Sequence, residues 1–203
     1  MHSITPLARP TILLTLLFCV AGCAQDAVPD EAVLPALPAD VRAGTTSPAG
    51  TEASSCAESG SLRTTLYGAL HGEVDWRGSE MTCNGMPRPN AAGARLRFSG
   101  KAGDNNLAVT FILALPDLEP GKTARELPSN LTIIEEGKGR FFNTANLDIC
   151  LTDIEHQDAL DTADHFRIEG TVYCIAPLAE VSGDTSVTIN KLVFSGEINW
   201  SKH

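Results

Sequence analysis

Positive charge, aromatic rings and long apolar runs are all scarce in this chain. Lysine and arginine together number 15 against 25 aspartates and glutamates, a formal net charge of −10. A chain this acidic is a poor match for nucleic acid or for an anionic lipid surface, and nucleic-acid binding is set aside. Aromatic residues make up 5 %, so a carbohydrate platform of exposed rings has little to draw on. Trp76 and Trp200 both fall on core-facing positions of the predicted strands, which leaves Tyr67 and Tyr173 as outward candidates. No apolar run beyond the N-terminal segment approaches the ~18 residues that a membrane-crossing helix needs. The motifs of familiar chemistry are missing too. There is no Gly-x-Ser-x-Gly, no His-Glu-x-x-His and no phosphate-cradling Gly-x-x-x-x-Gly-Lys-Ser/Thr. No catalytic residue and no cofactor is assigned on this basis.

What is present begins with an address. Arg9 precedes the apolar run Ile12 to Val20, and Val20-Ala21-Gly22-Cys23 closes it. A weakly positive start, a short apolar stretch and small residues at a cleavage point make a secretory signal. The closing tetrapeptide resembles the lipobox of bacterial lipoproteins. That resemblance implies a signal peptide over residues 1–22, with Cys23 as the acylated first residue of the mature protein. Ala24 stands where an aspartate would signal retention in the inner membrane, which points to the outer membrane of a Gram-negative envelope. Loss of residues 1–22 removes Arg9 and no acid, so the mature charge falls from −10 to −11. From Ala24 to about Ser55 the chain is Ala, Pro, Asp, Glu, Thr, Ser and Gly with little apolar periodicity. Such a segment buries too little to offset its chain entropy and reads as a flexible tether. The expected layout is therefore signal 1–22, lipidated cysteine and tether 23–55, and a folded domain 56–203.

Four cysteines remain for that domain: Cys56, Cys83, Cys150 and Cys174. An even number in an exported chain implies disulfides, with three connectivities open. We expect Cys56–Cys83 and Cys150–Cys174. The second follows from register, because pairing Ile149–Glu155 with Phe166–Ile175 around a polar loop from His156 to His165 sets Cys150 opposite Cys174. A zinc site is the alternative, but no Cys-x-x-Cys spacing exists.

The domain reads as strand after strand. Its last stretch, Leu192 to Trp200, has Leu192, Phe194, Ile198 and Trp200 on one face with Gly196 among them, the period of two of a half-buried strand. The same apolar-x-Gly-x-apolar layout occurs around Gly72, Gly100 and Gly170. An inward glycine marks a bend, a bulge or the close approach of other atoms. Arg63 to Trp76 is expected to run as one strand with even positions inward. Leu107 to Leu115 is apolar on both faces, as in a central strand covered on both sides. A helical turn is expected around Thr123–Glu126, and Gly137-Lys138-Gly139 signals a hairpin. Val187 and Ile189 are apolar at odd positions, whereas Leu192 onward is apolar at even ones. A phase change of one would turn every side chain over, so a bulge or change of sheet is expected near Asn190–Lys191. The fold class is all-β, a mostly antiparallel β-sandwich or barrel stapled by two disulfides. The order and spacing of Leu127 to Trp200 is similar to β-sandwich domains of other bacterial lipoproteins, a resemblance that carries no site residue with it.

Three groups of side chains are candidates for chemistry. His71, Glu73 and Asp75 share the polar face of one strand and Glu197 holds the equivalent place in the last. If those strands were neighbours, Glu73 and Glu197 could pair as the acid and base of an envelope hydrolase. The plain alternative is a wet strand face. Asp158, Asp161 and Asp164 repeat every three residues in the acidic segment and on a helical turn would line one side, as a calcium-dependent adhesion or glycan-binding domain would need. A solvated acidic loop is the plain alternative. Arg88, Arg95, Arg97 and Lys101 form a basic island whose guanidinium groups could hold a phosphate or sulfate, or pair with the opposite strand. The reading with most support is a lipid-anchored, non-catalytic binding or structural module whose partner is a protein or glycan of the envelope.

Overall fold

A computed structural model describes residues 58–145 and 148–201. The signal segment, Cys23, the tether and Cys56 lie outside the described residues. Among those described, twelve strands form one antiparallel sheet, and helix is confined to one 3₁₀ turn, Gly78–Glu80. The strands are β1 (Ser61–Gly68), β2 (Gly72–Arg77), β3 (Met81–Pro87), β4 (Ala94–Ala102), β5 (Leu107–Leu115) and β6 (Ala124–Glu135). They continue as β7 (Arg140–Asn143), β8 (Cys150–Ala159), β9 (His165–Cys174), β10 (Leu178–Glu180), β11 (Ser186–Ile189) and β12 (Leu192–Asn199). Three successive pairs, β7/β8, β9/β10 and β11/β12, behave as long interrupted strands. The 12-residue β6 pairs with β8 through its first half and with β7 through its second. In turn β9 pairs β8 while β10 pairs β7, and β12 pairs β9 while β11 pairs β10. Strand β1 pairs both β11 and β12. The sheet is thus a meander that begins at β3, returns to β1 and ends on β2.

One core lies between facing parts of this sheet. The rings of Phe98 on β4 and Phe194 on β12 have centroids 5.9 Å apart, and Trp76 on β2 meets Phe111 on β5 edge-on at 5.7 Å. The inward glycines explain how rings from facing strands fit. A Cβ on Gly196 would lie 3.2 Å from Phe98, one on Gly170 3.0 Å from Phe194, and one on Gly100 2.7 Å from the Trp76 indole. At Gly196 and Gly100 the missing side chain is the seat of an aromatic ring, while at Gly170 a Cβ would meet the Asp153 carbonyl oxygen even before the Phe194 ring. Phe98, Phe111 and Phe194 are all buried, and each contributes about 1.5–3 kcal/mol by leaving water.

Several expectations hold in detail. Gly137 and Gly139, at φ +80° and +65°, turn β6 into β7. Cys150 sits opposite Cys174 and bonds to it, with Cα atoms 4.1 Å apart. Leu66 pairs with Ile189 but Arg63 with Val193, so three residues on the β11/β12 side face two on β1. That is the one-residue bulge expected at Asn190–Lys191. Four expectations need correction. Arg63 to Trp76 is a hairpin, since Gly68 at φ +95° breaks the run and Leu66 pairs back onto Gly72. The region Thr123–Glu126 is not helical. Ala124 opens β6 instead, and a bulge follows in which Glu126 takes φ +50°. Pro128 is tolerated in that strand because only β8 pairs with this half of β6. Half of the supposed loop from His156 to His165 is strand. A bulge at Glu155 turns Gln157 inward and leaves His156 and Asp158 on the wet face, and only residues 160–164 turn. Finally β5 is buried at Val109, Phe111, Leu113 and Leu115, while on its other face Thr110 is buried and Ala108, Ile112 and Ala114 stay partly exposed rather than covered.

Candidate functional site

The bulge between β11 and β12 shapes the surface beside it. Asn190 N–H donates to Thr65 O at 3.0 Å, the Thr64 hydroxyl donates to Asn190 O at 3.3 Å, and Lys191 N–H donates to Asn190 Oδ1 at 2.8 Å. These bonds hold the extra residue out of the ladder and re-aim its neighbour Lys191. Over it lies a groove of about 380 Å³ whose lining includes Arg63, Thr65, Glu73, Asp75 and Lys191. A hollow of about 190 Å³ shares Arg63, Asp75 and Val193 with it and continues toward Ser61 and Arg77. Asp75 is engaged by Arg77 at 3.4 Å. Among the described residues, the side chains of Arg63, Glu73 and Lys191 have no ionic partner. Two cations and a carboxylate, Arg63 and Glu73 on paired strands and Lys191 in the bulge beside them, therefore face one concavity, offering donors and acceptors together.

Glu73 and Glu197 do not converge. Register sets Glu73 beside Thr65, level with Lys191, and Glu197 lies six residues further along β12 with β1 between. That is about 20 Å along the strand, beyond the 5–9.5 Å of a glycosidase pair. His71 sits in the β1–β2 turn, its ring 6.2 Å from that of Tyr67. Glu197 accepts a hydrogen bond from Ser59 at 3.1 Å and lies 3.3 Å from His165 Nε2. The carboxylate stands between hydroxyl and imidazole, so His165 is not placed to take a proton from Ser59.

The acidic candidates also disperse. Asp158 is on β8 opposite Arg167, while Asp161 and Asp164 are exposed in the following turn. The described residues contain no group of three His, Cys, Asp or Glu side chains able to hold a metal ion. The basic island divides. Arg95 and Arg97 line a hollow of about 160 Å³ with Asn84 and Met86. Arg88 does not join them, because its Nη1 donates to Ala92 O at 3.0 Å within its own loop.

Two charged clusters were not anticipated. Asp153 is buried at the β6–β8 bulge, where it accepts hydrogen bonds from the Tyr173 hydroxyl and from Glu126 N–H at 2.8 Å, with Arg125 at 3.5 Å. The Tyr173 hydroxyl, then the Glu126 amide and Arg125, hold its carboxyl below the usual carboxylate range. Asp153 in turn pushes the Tyr173 phenol up. The bulge that exposes the Glu126 amide was invisible in the sequence. The second cluster is Arg140, bidentate to Glu180 at 2.9 and 3.2 Å and bonded to the buried Glu135 at 3.2 Å. The Arg140 guanidinium, together with the Thr185 hydroxyl, pulls Glu180 down to about 2. Here a signal existed, since Glu135 occupies the inward position after Leu131 and Ile133.

No protein-family model, no curated protein and no solved structure matches this chain.

Proposed function

We propose that this chain is a lipid-anchored protein of the bacterial outer membrane that works as a non-catalytic binding module. Its ligand surface is the groove over β1, and its ligand is a polar, saccharide-like molecule of the envelope. The observation that supports this is the trio Arg63, Glu73 and Lys191, charged and without ionic partners in one concavity. Guanidinium, ammonium and carboxylate groups side by side can donate to and accept from adjacent sugar hydroxyls. The β1–β2 pairing holds Arg63 and Glu73, and the backbone hydrogen bonds of the bulge hold Lys191 beside them. In this reading Cys23 carries the lipid and residues 24–55 let the domain stand off the membrane. The sheet is a curled sandwich whose facing halves share one core. Cys56 bonds to Cys83, which is buried on the terminal strand β3, and so pins the end of the tether to the sheet.

The test is a set of thermal melts of the mature chain carrying Cys23→Ala, alone and with a panel of envelope glycans. A ligand specific to the folded state adds about 2.7 kcal/mol at a hundredfold excess over its dissociation constant. The reading expects a midpoint rise with at least one glycan that disappears in the double variant Arg63→Ala, Glu73→Gln. A flat panel, or a rise that survives the double variant, defeats it.

A further inference from the structure

A second cationic site lies on the opposite half of the sheet, independent of the groove over β1. Arg95 and Arg97 leave β4 on the same outward face, about 7 Å apart along the strand. Strand β3 sets Met86 across from Arg95 and Asn84 across from Arg97, and these four side chains line one hollow of about 160 Å³. On the other flank Ala114 and Ile112 of β5 pair with the two arginines and bring no charge. Acids outnumber bases 25 to 15 in this chain, yet among the described residues no carboxylate lies within 4.0 Å of either guanidinium. Arg95 Nη2 reaches only the Met86 sulfur, at 3.4 Å, a weak acceptor that leaves the charge unanswered. The Oδ1 atom of Asn84 is buried and has no hydrogen-bond partner.

From this we propose that the hollow between β3 and β4 is a binding site for a single oxyanion of the phosphate or sulfate type. Two planar guanidinium forks on neighbouring outward positions can each donate a pair of parallel hydrogen bonds to such a group. A half-turn of the Asn84 amide exchanges its oxygen for its NH₂ and adds a donor on the same side. The hollow has room for a few waters at ~30 Å³ each, so it admits the charged head group and leaves any larger moiety outside. That head group is either a free inorganic anion or the phosphate of a phosphorylated sugar.

The experiment is calorimetric titration of the mature chain carrying Cys23→Ala, at low ionic strength with chloride as the reference anion. The two probes are inorganic phosphate and glucose 1-phosphate. Saturable binding of at least one probe is expected, weakened about tenfold or more in Arg97→Ala by loss of charge-assisted bonds. Arg88→Ala is expected to bind as wild type, since Arg88 is tied to its own loop. Asn84→Asp supplies the missing carboxylate from within the protein. It should stay folded and lose anion binding, which keeps the test decisive if Arg97→Ala does not fold. Preference for glucose 1-phosphate assigns the head group to a glycan, equal binding assigns a free anion, and both support the site. The absence of saturable binding, or wild-type binding in both Arg97→Ala and Asn84→Asp, overturns it.

Discussion

Replacing Gly100 by alanine adds one methyl group to β4, and the structure locates what that methyl would strike. Its carbon would fall 2.7, 2.9 and 3.0 Å from three atoms of the Trp76 indole, well inside van der Waals contact. Trp76 has nowhere to retreat. It is 3 % exposed, donates Nε1–H to Lys101 O at 2.6 Å and packs edge-on against Phe111. Overpacking of this kind costs about 1–3 kcal/mol, and breaking the indole hydrogen bond adds about 1 kcal/mol. We expect Gly100→Ala to lose about 2–4 kcal/mol on that account. Denaturant unfolding followed by tryptophan fluorescence reads the change. The control is Gly139→Ala, with open space around the added carbon and φ +65°, where only backbone strain of about 1 kcal/mol is at stake. Trp76→Phe should relieve the clash, so the two substitutions should couple by about 1 kcal/mol or more in a double-mutant cycle. If Gly100→Ala costs no more than Gly139→Ala, or adds independently to Trp76→Phe, the glycine is not a seat for the indole.

Three further outcomes can be checked. Removing the Cys150–Cys174 bond by the double alanine variant frees a loop spanning 24 positions and should cost about 3 kcal/mol in denaturant melts; a loss below about 1 kcal/mol would mean the β8–β9 ladder needs no staple. In Asp153→Asn the Tyr173 phenol should ionise nearer its ordinary 10.0, because its carboxylate acceptor is gone, and an alkaline ultraviolet titration measures this directly. Glu180 contributes stability that is complete above pH 4.5 and lost as pH falls through about 2. Acid melts of Arg140→Ala should therefore decline less across that window than those of the wild type, and parallel curves would contradict the assignment.

The legible parts of this protein were those written in adjacent residues. Alternation from Leu192 to Trp200 showed which side of β12 would be buried, and the phase slip between Ile189 and Leu192 placed the bulge. Cys150 and Cys174 were legible as partners across one hairpin, although their exact register rests on the bulge at Glu155, without which counting back from the turn sets Cys150 opposite Ile175. Where the chain was misread, local pattern was ambiguous. Leu66 to Trp76 keeps its alternation through a turn at Gly68, and the wet face of β8 looks like a loop once a bulge shifts its phase. Charge partners were illegible for a deeper reason. Whether Glu73 meets Glu197, whether Asp153 finds Tyr173, and whether Arg97 finds an acid depend on which strands the meander sets side by side. An ionic contact acts over a few ångströms, so it exists only once distant strands are in register. Composition and periodicity determined a disulfide-bonded antiparallel β domain. Tertiary structure decided which charges are spent on one another, as in Arg140–Glu180, and which, as in Arg63, Lys191, Arg95 and Arg97, make no ion pair among the described residues.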